Sequence, residues 1–369
     1  QEKKLDLYAD INTYLTGWKF PYDSLSKGKK ISVANLLSHT GGLTVHGFPG
    51  YEHGKDRPTI EQILDGKTPS NSPAVRSMYE PGLRSEYSGG GITISQLILT
   101  NVTHQAYDEY MKKEVLQPLG MTSSTYAQPP ADIKPDLLAT AYDRNGEEIT
   151  GKYHIYPEQA AAGLWTNPTD LAKYIIETQL AYEGRSSKVL DQQTTKLRLT
   201  PYLDNSAALG VFIDKRDSTL YFQHGGANEG FRCQYYGSLA NGNGVVVMVN
   251  SDNGNIMPEL INSVAKVYDF KGLYRSKTTI ALADSLLEKY TGQYAITPTF
   301  VMTVSKEDGQ LYSQATNQPK FKIYAETPTK FTPSEFPAEI DFIKDANGKI
   351  NSIIVSQNGQ QHEGRRITQ

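Results

Sequence analysis

The pattern of the sequence changes near residues 271–279. Before this point, helix-like segments with capping residues alternate with apolar strand-like runs, of which residues 244–250 read as a strand buried on both faces. After it, a short helix is followed by short segments in which apolar and polar residues alternate, separated by turns such as Asp308-Gly309. The sequence therefore predicts an α+β domain over residues 1–275 and a small all-β, barrel-like domain over residues 280–369.

Charge and composition exclude several classes of function. The 369 residues carry a net charge of -3, which gives no basic footprint for nucleic acid. No apolar run reaches the roughly 18 residues that a membrane span needs. The single cysteine, Cys233, cannot form a disulfide within the chain. The 24 tyrosines, with many Asn, Gln and Ser, favour an exported protein.

Residues 80–94, E-P-G-L-R-S-E-Y-S-G-G-G-I-T-I, combine a Pro-Gly turn, a tyrosine and three glycines ahead of an apolar helical run. A tyrosine at a glycine-rich turn can expose its phenol in a cleft, because glycines bring no side chains to cover it. Tyr87 is therefore a candidate general base. The alternative is a half-buried aromatic side chain at a helix entry, which explains Tyr87 taken alone.

His224 is followed by Gly225, Gly226, Ala227 and Asn228. A histidine that ends a strand beside glycines lies at a sheet edge, where the backbone of a ligand can approach. The alternative is a histidine in a turn between two strands. Either interpretation predicts a strand that ends at His224.

The stretch L-L-S-H-T-G-G-L at residues 36–43 is explained by a helix that ends in a glycine cap. His39, His46 and His53 recur every seven residues, but glycines and a proline between them prevent a shared helical face. Cys pairs and H-E-x-x-H are absent from the sequence. We therefore expect no metal site and no cofactor.

Taken together and in order, four motifs resemble the serine β-lactamase and penicillin-binding-protein superfamily, in the branch of class C β-lactamases, D-aminopeptidases and esterases. The resemblance covers about residues 5–268, and the tail resembles the small β-barrel often attached to that branch. It implies a β-lactamase/transpeptidase-like fold, in which helices and a helical lobe flank an antiparallel sheet. The motifs are L-L-S-H-T-G-G-L, P-G-L-R-S-E-Y-S-G, A-A-G-L-W-T-N-P-T-D-L and H-G-G-A-N-E-G-F.

The resemblance also implies roles for individual residues. Tyr87 would be the general base, its pKa lowered by the lysine of the family's nucleophile motif with help from His224, and the N–H of Ala227 would stabilise an oxyanion. Gly225 and Gly226 complete the third motif, and with Gly89 and Asn228 they would contact substrate. Gly89 stands where class C enzymes have an Asn, which makes β-lactam hydrolysis less expected than esterase or peptidase activity.

The family's nucleophile is a serine in an S-x-x-K motif, which by analogy would lie roughly 15–20 residues before Gln1. Three such strings occur, starting at Ser24, Ser26 and Ser263, but their order or context relative to Tyr87 is wrong for this role. We therefore expect the nucleophile segment to be missing from this chain, and a further segment or a partner chain to supply it. The 369 residues alone are then not expected to form a stable monomer, because apolar surface would be exposed.

Two functions remain open from the sequence. The first is a serine hydrolase that forms an acyl-enzyme with an ester, a D-amino-acid peptide or a β-lactam-like amide, inactive without its nucleophile. The alternative is a non-catalytic penicillin-binding-like protein that binds a peptidoglycan-type peptide or a protein partner. Both imply a small-molecule or peptide ligand and a periplasmic or secreted bacterial protein. The C-terminal domain is expected to be a structural lid rather than a binding module.

Overall fold

The computed structural model describes residues 2–274, 279–333, 338–357 and 360–368, and the chain divides into two compact units, Gln1–Tyr274 and Arg275–Gln369. In the first unit, Lys112–Leu116 form a π-helical turn. The α-helices of the first unit are α1 (Val33–Leu37), α2 (Ile60–Asp65), α3 (Gly89–Thr103), α4 (Tyr107–Met111), α5 (Gln117–Leu119), α6 (Gln159–Ala162), α7 (Pro168–Tyr182), α8 (Gln192–Arg198) and α9 (Ile256–Val267).

The sheet of the first unit is antiparallel, in the order β1-β2-β3-β4. Its strands are β1 (Phe212–Arg216), β2 (Thr219–Asn228), β3 (Phe231–Ser238) and β4 (Gly244–Val249). The prediction that the second strand ends at His224 is wrong, because β3 pairs with β2 as far as Asn228. Strand β1 pairs only as far as Gln223. Among the described residues, 224–228 therefore have a strand partner on one side only.

Helices cover both faces of this sheet. Helix α7 packs on one face, where Ile175 meets Phe222 and Tyr235. Helix α9 packs on the other face, where Ile261 lies against Val247. The prediction of a strand buried on both faces at residues 244–250 is confirmed, since β4 contacts both helices.

A second core forms the helical lobe that carries the start of α3. Ile94, Leu97 and Ile98 of α3 pack with apolar residues of the N-terminal segment and of α1, including Leu36. Ser32 caps α1 with a reciprocal capping box, as serine at this position favours. This core fixes the helix whose N-terminus follows Tyr87.

The second unit has its own core, which confirms the prediction of a small all-β barrel. A short helix, α10 (Asp284–Leu287), precedes a closed barrel of eight antiparallel strands, filled by Tyr290, Tyr294, Phe331 and Phe342. The strands are β5 (Gly292–Thr297), β6 (Phe300–Glu307), β7 (Gln310–Ala315), β8 (Lys320–Ala325), β9 (Lys330–Pro333), β10 (Ala338–Lys344), β11 (Ile350–Gln357) and β12 (Gln360–Thr368).

Across the part of the chain that the structure describes, none of the helices combines the length and the apolar character needed to cross a bilayer.

Candidate active site around Tyr87

Tyr87 lies immediately before helix α3 and is 41% exposed. Ser88 is the N-cap of this helix, and its hydroxyl accepts a hydrogen bond from the N–H of Gly91 (3.0 Å). The carbonyl of Tyr87 accepts a hydrogen bond from Nδ1 of His46 (2.5 Å). Hydrogen bonds of the Tyr87 carbonyl and of the Ser88 side chain therefore fix the backbone at and after Tyr87.

The three glycines after Ser88 are not an open turn but the buried first turn of α3. A Cβ atom on Gly90 would lie 2.7 Å from a methyl carbon of Val75, and one on Gly89 would lie 3.1 Å from the Phe48 ring. The glycines therefore let the helix approach the 43–48 segment closely. Gly89 offers a ligand only its backbone, and its substrate-binding role stays a prediction.

Aromatic rings pack beside the Tyr87 ring, although Tyr87 remains 41% exposed, in line with the expectation of an exposed phenol. The centroid of the His39 ring lies 4.2 Å from that of Tyr87, and the His224 ring lies 6.0 Å away. Phe212, the first residue of β1, stacks on His39 (5.8 Å) and lies 5.5 Å from His224. Tyr87, His39, Phe212 and His224 thus form one cluster, called here the aromatic cluster.

His39 was not predicted as a site residue, because a glycine-capped helix end explains its motif. In the structure His39 is buried, and its Nδ1 accepts a hydrogen bond from the N–H of Ser88 (3.2 Å). Its carbonyl accepts the N–H of Glu86 (2.8 Å). His39 therefore holds the backbone on both sides of Tyr87, and its Nε2 carries the proton of the neutral ring.

Burial makes each titratable member of the aromatic cluster harder to charge. Burial, and then the nearby His224, lower the pKa of His39 to about 4. Burial also lowers the pKa of His224, so the imidazole is neutral at pH 7 and does not supply the expected positive charge. Burial raises the pKa of Tyr87, and no cation among the described residues lowers it. As it stands, the phenol is protonated at neutral pH.

The other predicted site residues lie in the part of β2, residues 224–228, that pairs with β3 but not with β1. Register pairs Gly225 with Gln234, Gly226 with Cys233 and Ala227 with Arg232. A Cβ atom on Gly226 would lie 2.5 Å from the Cys233 sulfur, so a larger residue there would require the Cys233 side chain to shift. Ala227 is exposed, and its role as oxyanion donor stays a prediction.

The end of β2 is held by residues that the sequence did not indicate. Asn228 donates its side-chain N–H to the carbonyl of Ala162 (2.8 Å), and the N–H of Glu229 donates to the Tyr156 hydroxyl (2.9 Å). Arg232 donates to the carbonyl of Asn228 (2.5 Å) and forms an ion pair with Asp252 (2.7 Å). The contacts with Ala162 and Tyr156 span 66 and 73 residues of the chain, so no local signal could reveal them.

The S-x-x-K strings are engaged elsewhere. Lys27 and Lys29 both pair with Glu80 (3.3 and 2.7 Å). Ser26 donates to the carbonyl of Asp23, and Ser263 donates to the carboxylate of Glu259. In the described residues, these strings therefore present no serine–lysine pair to Tyr87.

A model of the family described as Beta-lactamase matches residues 1–267, nearly three quarters of the chain. The chain belongs to the beta-lactamase family. A second model, described as a domain of unknown function (DUF3471), matches residues 276–366. The first match covers the aromatic cluster and all of β2, and the second covers the barrel.

Curated relatives are similar over part of their length. Protein flp from Staphylococcus aureus (strain N315) is 23% identical over 319 residues, which are 82% of this chain and 58% of the relative. N-acetylmuramyl-L-alanine amidase from Bacillus subtilis (strain 168) is 28% identical over 232 residues, 56% of this chain and 52% of the relative. The chain thus spans between half and three fifths of the length of these two proteins.

Solved structures share the fold. The octameric penicillin-binding protein homologue from Pyrococcus abyssi has a TM-score of 0.61 at 20% identity, covering 98% of this chain and 83% of that chain. A D-stereospecific amidohydrolase from Streptomyces sp. has a TM-score of 0.54 at 19% identity, covering 68% and 76%. The predicted β-lactamase/transpeptidase-like fold is confirmed.

Proposed function

We propose that this chain belongs to a serine hydrolase that cleaves an amide or ester through an acyl-enzyme, with Tyr87 as the general base. The observation that carries the proposal is a juxtaposition. The Tyr87 ring lies 6.0 Å from that of His224, at the point where pairing with β1 ends and β2, within the described residues, has a strand partner on one side only. A candidate general base therefore lies beside the strand edge of β2 that could bind a substrate.

The chemistry needs a nucleophilic serine, and the S-x-x-K strings of the described residues do not present one to Tyr87. In the proposed reaction, the hydroxyl of an S-x-x-K serine, carried by polypeptide outside residues 1–369, attacks the acyl carbon as Tyr87 accepts its proton. The N–H of Ala227 stabilises the oxyanion. Tyr87 then returns the proton to the departing amine or alcohol, and water hydrolyses the acyl-enzyme. The motif's lysine would lower the pKa of Tyr87, which burial raises.

The proposed substrate is a peptide-like amide of the kind found in bacterial cell walls, or a D-amino-acid amide. Two names support this class, the N-acetylmuramyl-L-alanine amidase and the D-stereospecific amidohydrolase. The strand edge at 224–228 supports it physically, because an extended peptide can add to such an edge through main-chain hydrogen bonds. A site of action outside the cytoplasm follows from this substrate.

The test is hydrolysis of D-alanyl p-nitroanilide and p-nitrophenyl acetate by the full-length protein. Tyr87→Phe is expected to lower kcat/KM at least about 100-fold, because it removes the proton acceptor. Tyr268→Phe, which alters a tyrosine 67% exposed after helix α9, is the matched control and is expected to keep full activity. Turnover that survives in Tyr87→Phe would contradict the assigned role.

Two observations favour a second candidate, a non-catalytic protein that binds a peptide in the same cleft. Burial raises the pKa of Tyr87 rather than lowering it, and Gly89 replaces the Asn of class C enzymes. This candidate predicts no turnover of either substrate by the full-length protein, together with saturable binding of a D-alanyl-D-alanine peptide. Turnover that depends on Tyr87 would exclude it.

A further inference from the structure

A carboxyl group is buried beside the site with nothing to neutralise it. Glu158 is the N-cap of helix α6 and is 0% exposed. Within the described residues, neither of its carboxylate oxygens has a hydrogen-bond partner. Its backbone carbonyl accepts the N–H groups of Ala161 (3.1 Å) and Ala162 (2.8 Å), and its own backbone N–H gives the carboxylate only weak support. A carboxylate in such a place loses its hydration without compensation, whereas a neutral acid loses much less.

The side chains that hold the segment around Glu158 from helix α3 and from residue 128 are polar but uncharged. Helix α3, which contacts α6, has no charged residue, and its Gln96 bonds the carbonyl of Pro157 (3.1 Å) and the N–H of Ala160 (2.9 Å). Gln128 bonds the N–H of Tyr156 (3.0 Å) and the carbonyl of Gly163 (2.7 Å). Two amide side chains therefore brace the segment from Tyr156 to Gly163.

The titratable neighbours are mainly phenols. Glu158 raises the pKa values of Tyr51 and Tyr156, in each case as a smaller cause than burial. Helix α4, which also contacts α6, presents Tyr107, whose ring packs on Tyr126, and carries Asp108, Glu109 and Tyr110. The other groups are His154 of the same stretch, bonded to the carbonyl of Pro49, and Glu229 and Arg232, which affect Tyr156 from the β2–β3 side. Burial raises the pKa of Glu158 to about 7; the residue's own backbone N–H opposes this in part, and no described cation does.

The braced segment holds the end of β2 at two points. The carbonyl of Ala162 accepts the Asn228 side chain, and the Tyr156 hydroxyl accepts the N–H of Glu229. Glu158 lies between these two contacts in the chain. A change in the seating of Glu158 is therefore transmitted to the strand that carries the proposed oxyanion donor.

We propose that Glu158 is a proton-dependent positioning residue: as a neutral acid it keeps segment 156–162 seated and so holds Asn228 and Glu229, and as a carboxylate it releases them. The charged group must reach water, and the segment must move to let it do so. This proposal does not require the chain to be a hydrolase, and its test uses no substrate.

The test is hydrogen exchange in the full-length protein between pH 5 and pH 8.5, followed by mass spectrometry of peptides spanning 156–163 and 224–231. After correction for intrinsic exchange, the wild type is expected to exchange about tenfold faster at pH 8.5, because Glu158 is then ionised. Glu158→Gln is expected to show no such rise. Glu109→Gln, which changes an exposed acid on α4, is the matched control and is expected to behave as the wild type.

A second measurement keeps the proposal testable if Glu158→Gln fails to fold. The infrared carbonyl band of a protonated carboxylic acid is expected in the wild type at pH 5 and is expected to disappear near pH 7. Loss of this band in step with faster exchange of the two peptides would support the proposal. A band that persists at pH 8.5, or exchange that follows only the intrinsic rate, would overturn it.

Discussion

At the scale of single residues, the site is organised by burial of groups that could carry charge. His39 is 5% exposed and Glu158 is 0% exposed, and burial opposes the charged form of each. For His39 the charged form is protonated, whereas for Glu158 it is deprotonated. The two residues therefore make folding depend on pH in opposite directions.

The sign for each group follows from its folded-state pKa. The pKa of His39 falls from 6.5 to about 4 on folding, so its contribution is present above pH 6.5 and is lost as the pH falls towards 4. The pKa of Glu158 rises from 4.5 to about 7, so stability is lost as the pH rises from 4.5 to 7. Each full effect is about 3.5 kcal/mol, at roughly 1.4 kcal/mol per pKa unit.

Chemical denaturation at pH 4 and pH 7 tests this prediction. Between pH 7 and pH 4 the wild type is expected to lose about 3 kcal/mol more free energy of unfolding than His39→Gln. Glutamine does not titrate, so the variant avoids the cost of keeping a buried imidazole neutral. His53→Gln changes an exposed histidine and serves as the control. Parallel pH profiles for wild type and His39→Gln would show that His39 is not held neutral by the fold.

At the scale of elements, close approach of α3 to the 43–48 segment sets the position of Tyr87. Gly90 is the tightest point, because a Cβ atom there would meet Val75 at 2.7 Å and the carbonyl oxygen of Thr44 at 3.0 Å. Val75 is fully buried and the Thr44 carbonyl belongs to the backbone, so neither atom can easily move away. A methyl group at this position must push α3 away from the segment.

Gly90→Ala is therefore expected to lower the free energy of unfolding by about 1–3 kcal/mol, the usual cost of overpacking. Gly47→Ala is the matched control, since a Cβ atom there has no neighbour within 4 Å, and it is expected to change stability by less than about 0.5 kcal/mol. Adding Val75→Ala to Gly90→Ala should cost less than the sum of the two single changes. Equal losses for Gly90→Ala and Gly47→Ala would contradict the packing account.

At this scale, the sequence predicts those features that are determined by residues close together in the chain. Asn167 and Pro168 mark the start of α7 because capping involves neighbours in the chain, and alternation revealed most barrel strands. Strand β2 continues to Asn228 because it pairs with β3. The alternation of apolar and polar residues ends at His224, so it could not predict this continuation. His39 was missed because its ring acts on Ser88, 49 residues away.

At the scale of the whole molecule, each unit has its own core, but the first leaves an apolar stripe uncovered. Ile256, Leu260 and Val267 share one side of α9 and are 55%, 40% and 74% exposed. In the described part of the sheet, β4 is an end strand with one partner, and α9 packs beside it. Exposed apolar surface next to an unpaired strand edge promotes association.

The prediction that these 369 residues alone do not form a stable monomer remains untested. Sedimentation velocity over a range of concentrations is expected to show association that weakens in Ile256→Lys/Val267→Lys. Leu137→Lys, at a residue 72% exposed outside this stripe, is the control and is expected to associate as the wild type does. A single monomer species with one cooperative melt would contradict the prediction.

The central claim is an acyl-enzyme formed by a serine hydrolase whose general base is Tyr87. The most direct test is labelling of the full-length protein with a fluorophosphonate, with the modified peptide located by mass spectrometry. We predict one labelled serine, in an S-x-x-K motif outside residues 1–369, and labelling at least about 100-fold slower in Tyr87→Phe. Absence of any labelled serine, or a label on Ser24, Ser26 or Ser263, would contradict the account.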